Sequence, residues 1–309
     1  MQKPPAIELH DLVKDYGSVR ALDGLSLSIE QGEIFGFLGP NGAGKTTTIR
    51  IIFDLIRPTS GSARILGTDC QSNSITARSK MGYLPGDLRL YDGLTGRETI
   101  DLFSTLRRTP PDMAYVRSLL ERLDLDPHRV VREYSKGNRQ KLGLVLALLH
   151  QPELIILDEP TGGLDPLVQE EVAALLFELA AQGRTVFFSS HILSEVEHLC
   201  HRVAFLRQGR LIAVEEVGEI KGRSLHIVEV TFDSPVPRDA FCIDGVREVQ
   251  RDGDTVHLEV RSNLDAVLKA IARYHVVDMR TEQPNLEQVF RAYYEGGIQP
   301  GERMQDAAS

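Results

Sequence analysis

A glycine-rich segment near the start of the chain has the residue types that hold phosphate groups. Residues 39–46 read GPNGAGKT and match the pattern GxxxxGK[ST]. Glycines let backbone N–H groups converge on phosphate oxygens, and a helix that begins here offers its positive end to the same anion. Lys45 would reach the β- and γ-phosphates, and the Thr46 hydroxyl would bind Mg²⁺. The predicted phosphate site comprises Gly39, Pro40, Asn41, Gly42, Ala43, Gly44, Lys45, Thr46 and Thr47.

Two adjacent carboxylates end an apolar stretch later in the chain. Residues 154–159 read LIILDE, which is typical of a buried strand that runs into acidic residues. Asp158 would hold Mg²⁺, directly or through water, and Glu159 would polarise the water that attacks a phosphate. Alone, the pair could equally be an acidic surface at a strand end. Together with the phosphate loop, it predicts phosphoryl transfer to water.

The segments around both motifs have the pattern of a helix-covered, largely parallel sheet. Apolar or alternating stretches predict strands at 7–13, 25–29, 34–38, 61–66, 154–157 and 185–188. Helical spacing predicts helices at 96–106, 111–123, 136–149 and 166–181. Because long helical crossovers separate the buried strands, we expect the α/β class.

Composition narrows the range of partners. The 309 residues suffice for one sizeable core and a small second domain. There are 35 Lys and Arg against 44 Asp and Glu, a net charge of −9, without a basic block. This balance disfavours nucleic acid as a partner. No apolar stretch approaches the roughly 18 residues needed to span a bilayer, so we expect the chain to stay in the cytosol.

The pattern changes near residue 220. We expect a first domain over 1–220, with a helical insert over about 88–149, and a small α+β domain over 221–309. In the second domain, strands are predicted at 225–232, 255–260 and 276–279, helices at 263–272 and 286–294, and a frayed tail at 296–309.

Further motifs follow in an order that resembles the nucleotide-binding subunits of ABC transporters. Residues 134–140, YSKGNRQ, stand just before the acidic strand, where that family carries its LSGGQ signature. Residues 163–165, GLD, resemble its D-loop, and residues 188–191, FSSH, resemble the strand end with its switch histidine. The resemblance covers residues 1 to about 220 and implies a P-loop NTPase fold of the ABC type.

The resemblance implies nucleotide contacts outside the phosphate loop. Tyr16 stands where the family places an aromatic residue against adenine, although a lone tyrosine is also common in a core or on a surface. Ser135 and Gly137 would cap the γ-phosphate of ATP held by a facing subunit. The alternative for Ser135 is a plain helix cap.

The resemblance also implies roles near the reacting phosphate. Glu159 would activate water, and His191 would contact the γ-phosphate and help to hold the water and Glu159 in place. Asp165 would serve the seam between two subunits rather than the chemistry. ATP and Mg²⁺ are therefore the implied ligands.

Two departures from the family pattern stand out. The signature has Lys136 in place of a glycine and Asn138 in place of its glutamine. Such degenerate signatures resemble those of exporters of drugs, polysaccharides and polyketides with ABC-2 type membrane partners. Gly86 stands where the family has the Q-loop glutamine, which puts metal contact and coupling in question at that corner. Residues 283–290, QPNLEQVF, resemble a tail motif of the drug- and antibiotic-exporting branch.

The resemblance implies an ATP-hydrolysing motor that drives a separate membrane-spanning permease and exports drug-like or lipophilic substrates. A second copy, or a similar ATPase subunit, would complete each ATP site. The chain would attach to the inner face of the cell membrane through the permease. Two alternatives stay open: a nucleotide-dependent regulatory module with little turnover, favoured by Gly86, and a soluble ABC ATPase without a transport role.

Overall fold

The computed structural model describes residues 3–107, 110–222, 226–260 and 263–282. The chain divides into two compact units with a boundary between Val214 and Glu215, a few residues before the predicted boundary at 220. The predicted QPNLEQVF motif, the helix at 286–294 and the tail at 296–309 lie outside the described residues. No helix within the described ranges is both long and apolar enough to cross a membrane.

The first unit contains two sheets and their helices. Its strands are β1 (Ile7–Tyr16), β2 (Val19–Ile29), β3 (Ile34–Leu38), β4 (Ser60–Ile65), β5 (Thr68–Asp69), β6 (Met81–Leu84), β7 (Leu154–Asp158), β8 (Thr185–Ser190), β9 (Arg202–Arg207) and β10 (Arg210–Glu216), which crosses the boundary. Its helices are α1 (Lys45–Ile52), α2 (Ser74–Ser79), α3 (Gly96–Thr105), α4 (Met113–Arg122), α5 (Lys136–Leu148), α6 (Pro166–Ala181) and α7 (Leu193–Leu199).

A six-stranded sheet in the order β10-β9-β3-β8-β7-β6 forms the centre of this unit. β3 pairs in parallel with β8 and β9, and β7 pairs in parallel with β6 and β8. Asp158 lies beside Ser189, and Leu38 lies beside Ser190. The carboxyl ends of these strands therefore meet at one edge, as the predicted parallel sheet requires.

A second sheet, in the order β2-β1-β4-β5, packs against the first. β1 pairs with β2 and β4 in antiparallel register. One apolar cluster joins both sheets and includes Ile7, Leu25 and Ile65 from the second sheet and Phe35 and Phe187 from the first. Burial of this shared cluster holds the phosphate loop, which follows β3, on a rigid support.

Helices α3, α4 and α5 lie within the predicted insert at 88–149. Thr95 and Glu98 form a reciprocal cap at the start of α3, and Asp112 caps α4. Every residue of α5 from Gln140 to Leu148 is buried. Its contact with β6 is close, because a Cβ added at Gly82 would lie 2.1 Å from the carbonyl oxygen of Ala147.

The second unit is a small α+β domain. Its elements are α8 (Val217–Gly222), β11 (His226–Phe232), β12 (Val246–Asp252), β13 (Thr255–Val260), α9 (Leu264–Ile271) and β14 (Val276–Glu282). The strands form an antiparallel sheet in the order β12-β13-β11-β14. Val228, Val230 and Leu258 form the core of this unit with Val267 and Ile271 of α9.

A half-buried histidine links the end of α5 to β6. The Nε2 atom of His150 lies 3.0 Å from the carbonyl oxygen of Met81. Burial is the main cause that lowers the pKa of His150 from 6.5 to about 4, and the charges of Arg107 and Arg184 lower this pKa further. Between pH 6.5 and about 4, His150 binds a proton more readily in the unfolded chain than in the folded one. The stability that the folded protein has with a neutral His150 is therefore lost as the pH falls.

We predict that His150→Gln reduces the acid sensitivity of folding. Above pH 6.5 the histidine is neutral in both states, and its contribution is lost as the pH drops from about 6.5 to 4. The melting temperature of the wild type should therefore fall more steeply over this window than that of the variant. His128→Gln, at an exposed position, serves as the control and should follow the wild type. Parallel curves for wild type and His150→Gln would contradict the prediction.

Candidate nucleotide-binding site

The phosphate loop borders a cavity of about 600 Å³ at the carboxyl edge of the six-stranded sheet. The loop leaves β3 and enters α1 directly, as predicted. Gly39 is required by a close approach, because a Cβ there would lie 2.5 Å from the carbonyl oxygen of Leu206. Gly44, just before α1, has a φ of +111°, which strains any other residue. The cavity is lined by Pro40, Asn41, Gly42, Gly44, Lys45, Thr46 and Thr47, together with residues from other segments.

Lys45 is buried at the start of α1 and folds back onto the loop. Its Nζ atom donates to the carbonyl oxygen of Gly39 at 2.6 Å. Burial lowers the pKa of Lys45, while the nearby charges of Glu159 and Asp158 act in the opposite direction. A phosphate anion would favour the charged ammonium for the same electrostatic reason. The loop thus offers a partly desolvated cation to an anionic ligand.

Asp158 and Thr46 meet across the cavity. The Thr46 hydroxyl donates to Oδ2 of Asp158 at 3.4 Å, and the hydroxyl of Ser189 donates to Oδ1 of the same carboxylate. A carboxylate and a hydroxyl are the hard oxygen donors that Mg²⁺ prefers. No group of three His, Cys, Asp or Glu side chains in the described segments could hold a metal ion. One carboxylate nevertheless fits Mg²⁺, which commonly takes its other ligands from phosphates and water.

Glu159 and His191 form a pair beside this carboxylate. The Nδ1 atom of His191 lies 3.0 Å from Oε1 of Glu159. Glu159 directly follows β7, and His191 directly follows β8, so the parallel pairing of the two strands brings them together. The backbone of Glu159 has a φ of +52°, in the left-handed region, and its N–H donates to the carbonyl oxygen of Ser189 at 3.0 Å. The site thus combines a constrained carboxylate with an imidazole.

The predicted signature and D-loop residues lie elsewhere. Ser135 caps α5, since its Oγ accepts from the N–H of Asn138 at 3.1 Å. Asp165 caps α6 through a 3.1 Å bond from the N–H of Val168. A Cβ at Gly137 would lie 2.8 Å from the carbonyl oxygen of Gly163, so the first turn of α5 touches the loop that contains Gly163. Neither Ser135, Gly137 nor Asp165 lines the cavity at the phosphate loop.

Tyr16 is also separate from this cavity. It ends β1 with 46% of its surface exposed, and it is not among the residues that line the cavity. The ammonium group of Lys14 lies 5.0 Å from the centre of the Tyr16 ring. One face of the ring therefore already carries a cation–π contact. In this structure, Ala21 of β2 contributes to the cavity wall instead.

One further wall of the cavity comes from the segment that resembles the Q-loop, and the role of Tyr83 there was not predicted. Tyr83, at the end of β6, lines it, and burial together with the charge of Asp158 raises the pKa of Tyr83 to about 12. Gly86 and Asp87 follow on the same wall. A Cβ at Gly86 would lie 3.5 Å from Oδ2 of Asp158, so a larger residue here would contact the carboxylate. Gly86 thus lies beside the carboxylate, at the corner where the resemblance to the Q-loop places it.

Comparison with known proteins decides the family. The model of the ABC transporter family matches residues 22–162. The bacitracin transport ATP-binding protein BcrA of Bacillus licheniformis is 39% identical over 226 residues, which cover 72% of this chain and 74% of that protein. The chain belongs to the ATP-binding proteins of ABC transporters. As a member of this family, it is an ATP-binding subunit with an ABC ATPase domain.

Two further matches extend the relationship of this ABC protein. The Nod factor export ATP-binding protein I of Rhizobium meliloti is 35% identical over 297 residues, which cover 92% of this chain and 87% of that protein. Among solved structures, a dimeric post-hydrolysis state of the ATP-binding cassette MJ0796 bound to ADP and Pi has a TM-score of 0.62 and 25% identity. The match covers 68% of this chain and 98% of that one. The predicted P-loop fold of the ABC type is thereby confirmed.

We predict that Gly137→Ala destabilises this ABC protein. The added methyl would lie 2.8 Å from the carbonyl oxygen of Gly163, closer than real Cβ contacts. We expect the free energy of unfolding to fall by about 1–2 kcal/mol, measured by denaturant titration, because overpacking outweighs the gain in helix propensity.

Gly162→Ala is the matched control in the neighbouring loop. A Cβ at Gly162 would lie 3.6 Å from the carbonyl oxygen of Glu159, which is an ordinary contact. This variant should keep the stability of the wild type. Equal stability of both alanine variants would contradict the close approach of α5 to the loop at Gly163.

Proposed function

We propose that the chain hydrolyses ATP as the motor subunit of an exporter, at the site formed by its phosphate loop and the ends of β7 and β8. The observation that carries this proposal is the convergence of Lys45, Thr46, Asp158, Glu159 and His191 at one edge of the sheet. Phosphoryl transfer to water requires a cation for the phosphates, oxygen ligands for Mg²⁺ and a carboxylate that orients the water. These residues supply all three kinds of group.

Each residue has a distinct role in the proposed reaction. Lys45 binds the β- and γ-phosphates in place of the carbonyl oxygen of Gly39, to which it now donates. Thr46 and Asp158 would hold Mg²⁺, which supplies charge neutralisation on the phosphates when bound. Glu159 orients the attacking water with one carboxylate oxygen, while His191 holds the other at 3.0 Å. Backbone N–H groups of the loop complete the grip on the phosphates.

A second subunit would complete the site. The N-terminus of α5, which Ser135 caps, offers a positive helix end and the first N–H groups of a helix, and Gly137 adds no side chain there. We propose that it caps the γ-phosphate of ATP on a facing copy or a similar subunit. The solved cassette that this chain matches is dimeric, which supports the arrangement. Tyr16 would stack on adenine, and Asp165 would lie at the seam between the subunits.

The proposed partner in the membrane is a separate permease of the ABC-2 type. Two relatives are named for bacitracin transport and Nod factor export, which supports an exporter of drug-like or lipophilic substrates. The chain would bind the inner face of the cell membrane through this permease. Gly86 keeps a second candidate open, a regulatory module with little turnover, because glycine offers no side chain for the contact that a glutamine would make.

We predict that Lys45→Ala weakens ATP binding at least about tenfold, because a charge-assisted bond contributes roughly 1.5–3 kcal/mol. Isothermal titration calorimetry of the full chain with ATP and Mg²⁺ measures the change. Lys269→Ala, which removes an exposed ammonium paired with Asp265 in the second unit, is the control. Unchanged affinity in Lys45→Ala would refute the assignment of the phosphate site.

We predict that Glu159→Gln lowers kcat at least about a hundredfold, the range of general base catalysis. The variant should retain ATP and form a stable dimer on size-exclusion chromatography, because the nucleotide is no longer cleaved. Glu121→Gln makes the same chemical change at an exposed position of α4 and should leave turnover unchanged. A wild type that does not hydrolyse ATP even with its permease would favour the regulatory module.

A further inference from the structure

A third carboxylate connects the two segments that carry Glu159 and His191. Oε1 of Glu195 accepts from the Thr161 hydroxyl at 2.6 Å, and Oε2 accepts from the Ser190 hydroxyl at 2.8 Å. Thr161 follows Glu159 by two residues, and Ser190 directly precedes His191. Each oxygen of one side chain in α7 therefore holds one of the two segments.

Both hydroxyl donors are deeply buried. Thr161 is 5% exposed and Ser190 is 2% exposed. A buried hydroxyl without a partner is unfavourable, and a charged acceptor gives the stronger kind of hydrogen bond. Ser190 also accepts, through Oγ, the N–H of Ile192 at 2.9 Å. The turn that contains His191 is thus closed by a hydroxyl whose own proton is directed to Glu195.

The segment after β7 needs such support. Glu159 has a left-handed backbone, which persists only where surrounding bonds enforce it. On one side, Nε2 of the buried Gln140 donates to the carbonyl oxygen of Pro160 at 2.9 Å. On the other side, the Thr161 hydroxyl is bound by Glu195. Hydrogen bonds from Gln140 on one side and to Glu195 on the other therefore hold the segment that carries Glu159.

The pair formed by Glu159 and His191 cannot set its own geometry. The side chains of His191 and Glu159 are 51% and 38% exposed. Exposed ion pairs are weak, because water screens the charges and both side chains lose freedom. The distance of 3.0 Å between Nδ1 and Oε1 therefore depends on how the backbones of the two segments are held. The buried hydroxyl bonds to Glu195 provide that restraint.

Glu195 is placed to position these groups rather than to touch the nucleotide. Glu195 and Thr161 line a separate cavity of about 320 Å³, together with residues of α6 and α7. Neither residue lines the cavity at the phosphate loop. Any effect of Glu195 on the reaction must therefore pass through the segments that it binds.

We propose that Glu195 is a positioning residue of ATP hydrolysis. Its carboxylate bridges Thr161 and Ser190 and thereby fixes Glu159 and His191 at the separation that the reaction uses. The inference rests on the proposed function, since it concerns the same reaction. It predicts that loss of the bridge lowers kcat and leaves the KM for ATP unchanged, because the phosphate loop keeps its own contacts.

The test is a double-mutant cycle on the full chain. Glu195→Gln replaces one accepting oxygen by a donor, and Thr161→Val removes the hydroxyl at constant shape. We expect each to lower kcat about tenfold. This is a part of the roughly hundredfold loss that a full displacement of a reacting group by about 1 Å can cause. The KM for ATP should stay within about twofold, and the double variant should be no slower than the slower single variant. Thr161→Ser keeps the donor and should restore turnover, and Glu121→Gln is the control for the charge change.

Several outcomes would overturn the proposal. An unchanged kcat in Glu195→Gln would do so, as would losses in the two single variants that multiply in the double variant. A fall in melting temperature accompanied by a raised KM for ATP would show a purely structural role, which also refutes it.

A second measurement does not depend on turnover. Hydrogen–deuterium exchange should become faster in Glu195→Gln across residues 159–164 and 190–195, while residues 39–47 keep the wild-type rate. Unchanged exchange at the two segments would show that the bridge does not restrain them. A wild type without ATPase activity would refute the proposed function, and the exchange measurement would still decide whether the bridge exists.

Discussion

The parallel pairing of β7 with β8 is the constraint on which the site depends. Asp158 lies beside Ser189 in this pairing. Glu159 directly follows Asp158, and His191 follows Ser189 by two residues, so the two side chains meet beyond the strand ends. Parallel strands bring their carboxyl ends to one edge, where side chains from distant parts of the sequence can meet. The phosphate loop leaves β3 at the same edge, because β3 is the other neighbour of β8. A slip of one residue between β7 and β8 would separate the carboxylates from the imidazole.

The buried centre of the fold could be predicted from the sequence, whereas the edges could not. Strong apolar runs predict β3 and β7, and the strand bounds agree to within one residue. β6 has only four residues, and α2 and α7 have six and seven, so their periodicity is too short to recognise. The partners that define such elements lie far away in sequence. Burial against β7 and α5, rather than local propensity, makes 81–84 a strand.

For the candidate site, the sequence predicted groups with a local motif and missed those defined by long-range contacts. The GPNGAGKT loop and the LIILDE strand end carry their chemistry in consecutive residues. Glu195 has no motif around it, and its bond to Thr161 spans 34 positions. Tyr16 was chosen by its residue type, and its contact with adenine stays a prediction, because it does not line the cavity at the phosphate loop. Residue type alone does not fix where an exposed side chain lies.

Helix α5 contacts both halves of the proposed machinery. Its first residue follows the Ser135 cap, which would face a partner, and one turn later Gln140 holds the carbonyl oxygen of Pro160 in its own subunit. A tightly packed helix moves as a rigid body. A displacement of the exposed N-terminus of α5 would therefore also displace the backbone beside Glu159. Two such subunits facing each other would each sense the occupancy of the other's ATP through this helix. ATP hydrolysis in the two subunits would then be coupled through the movement of this helix.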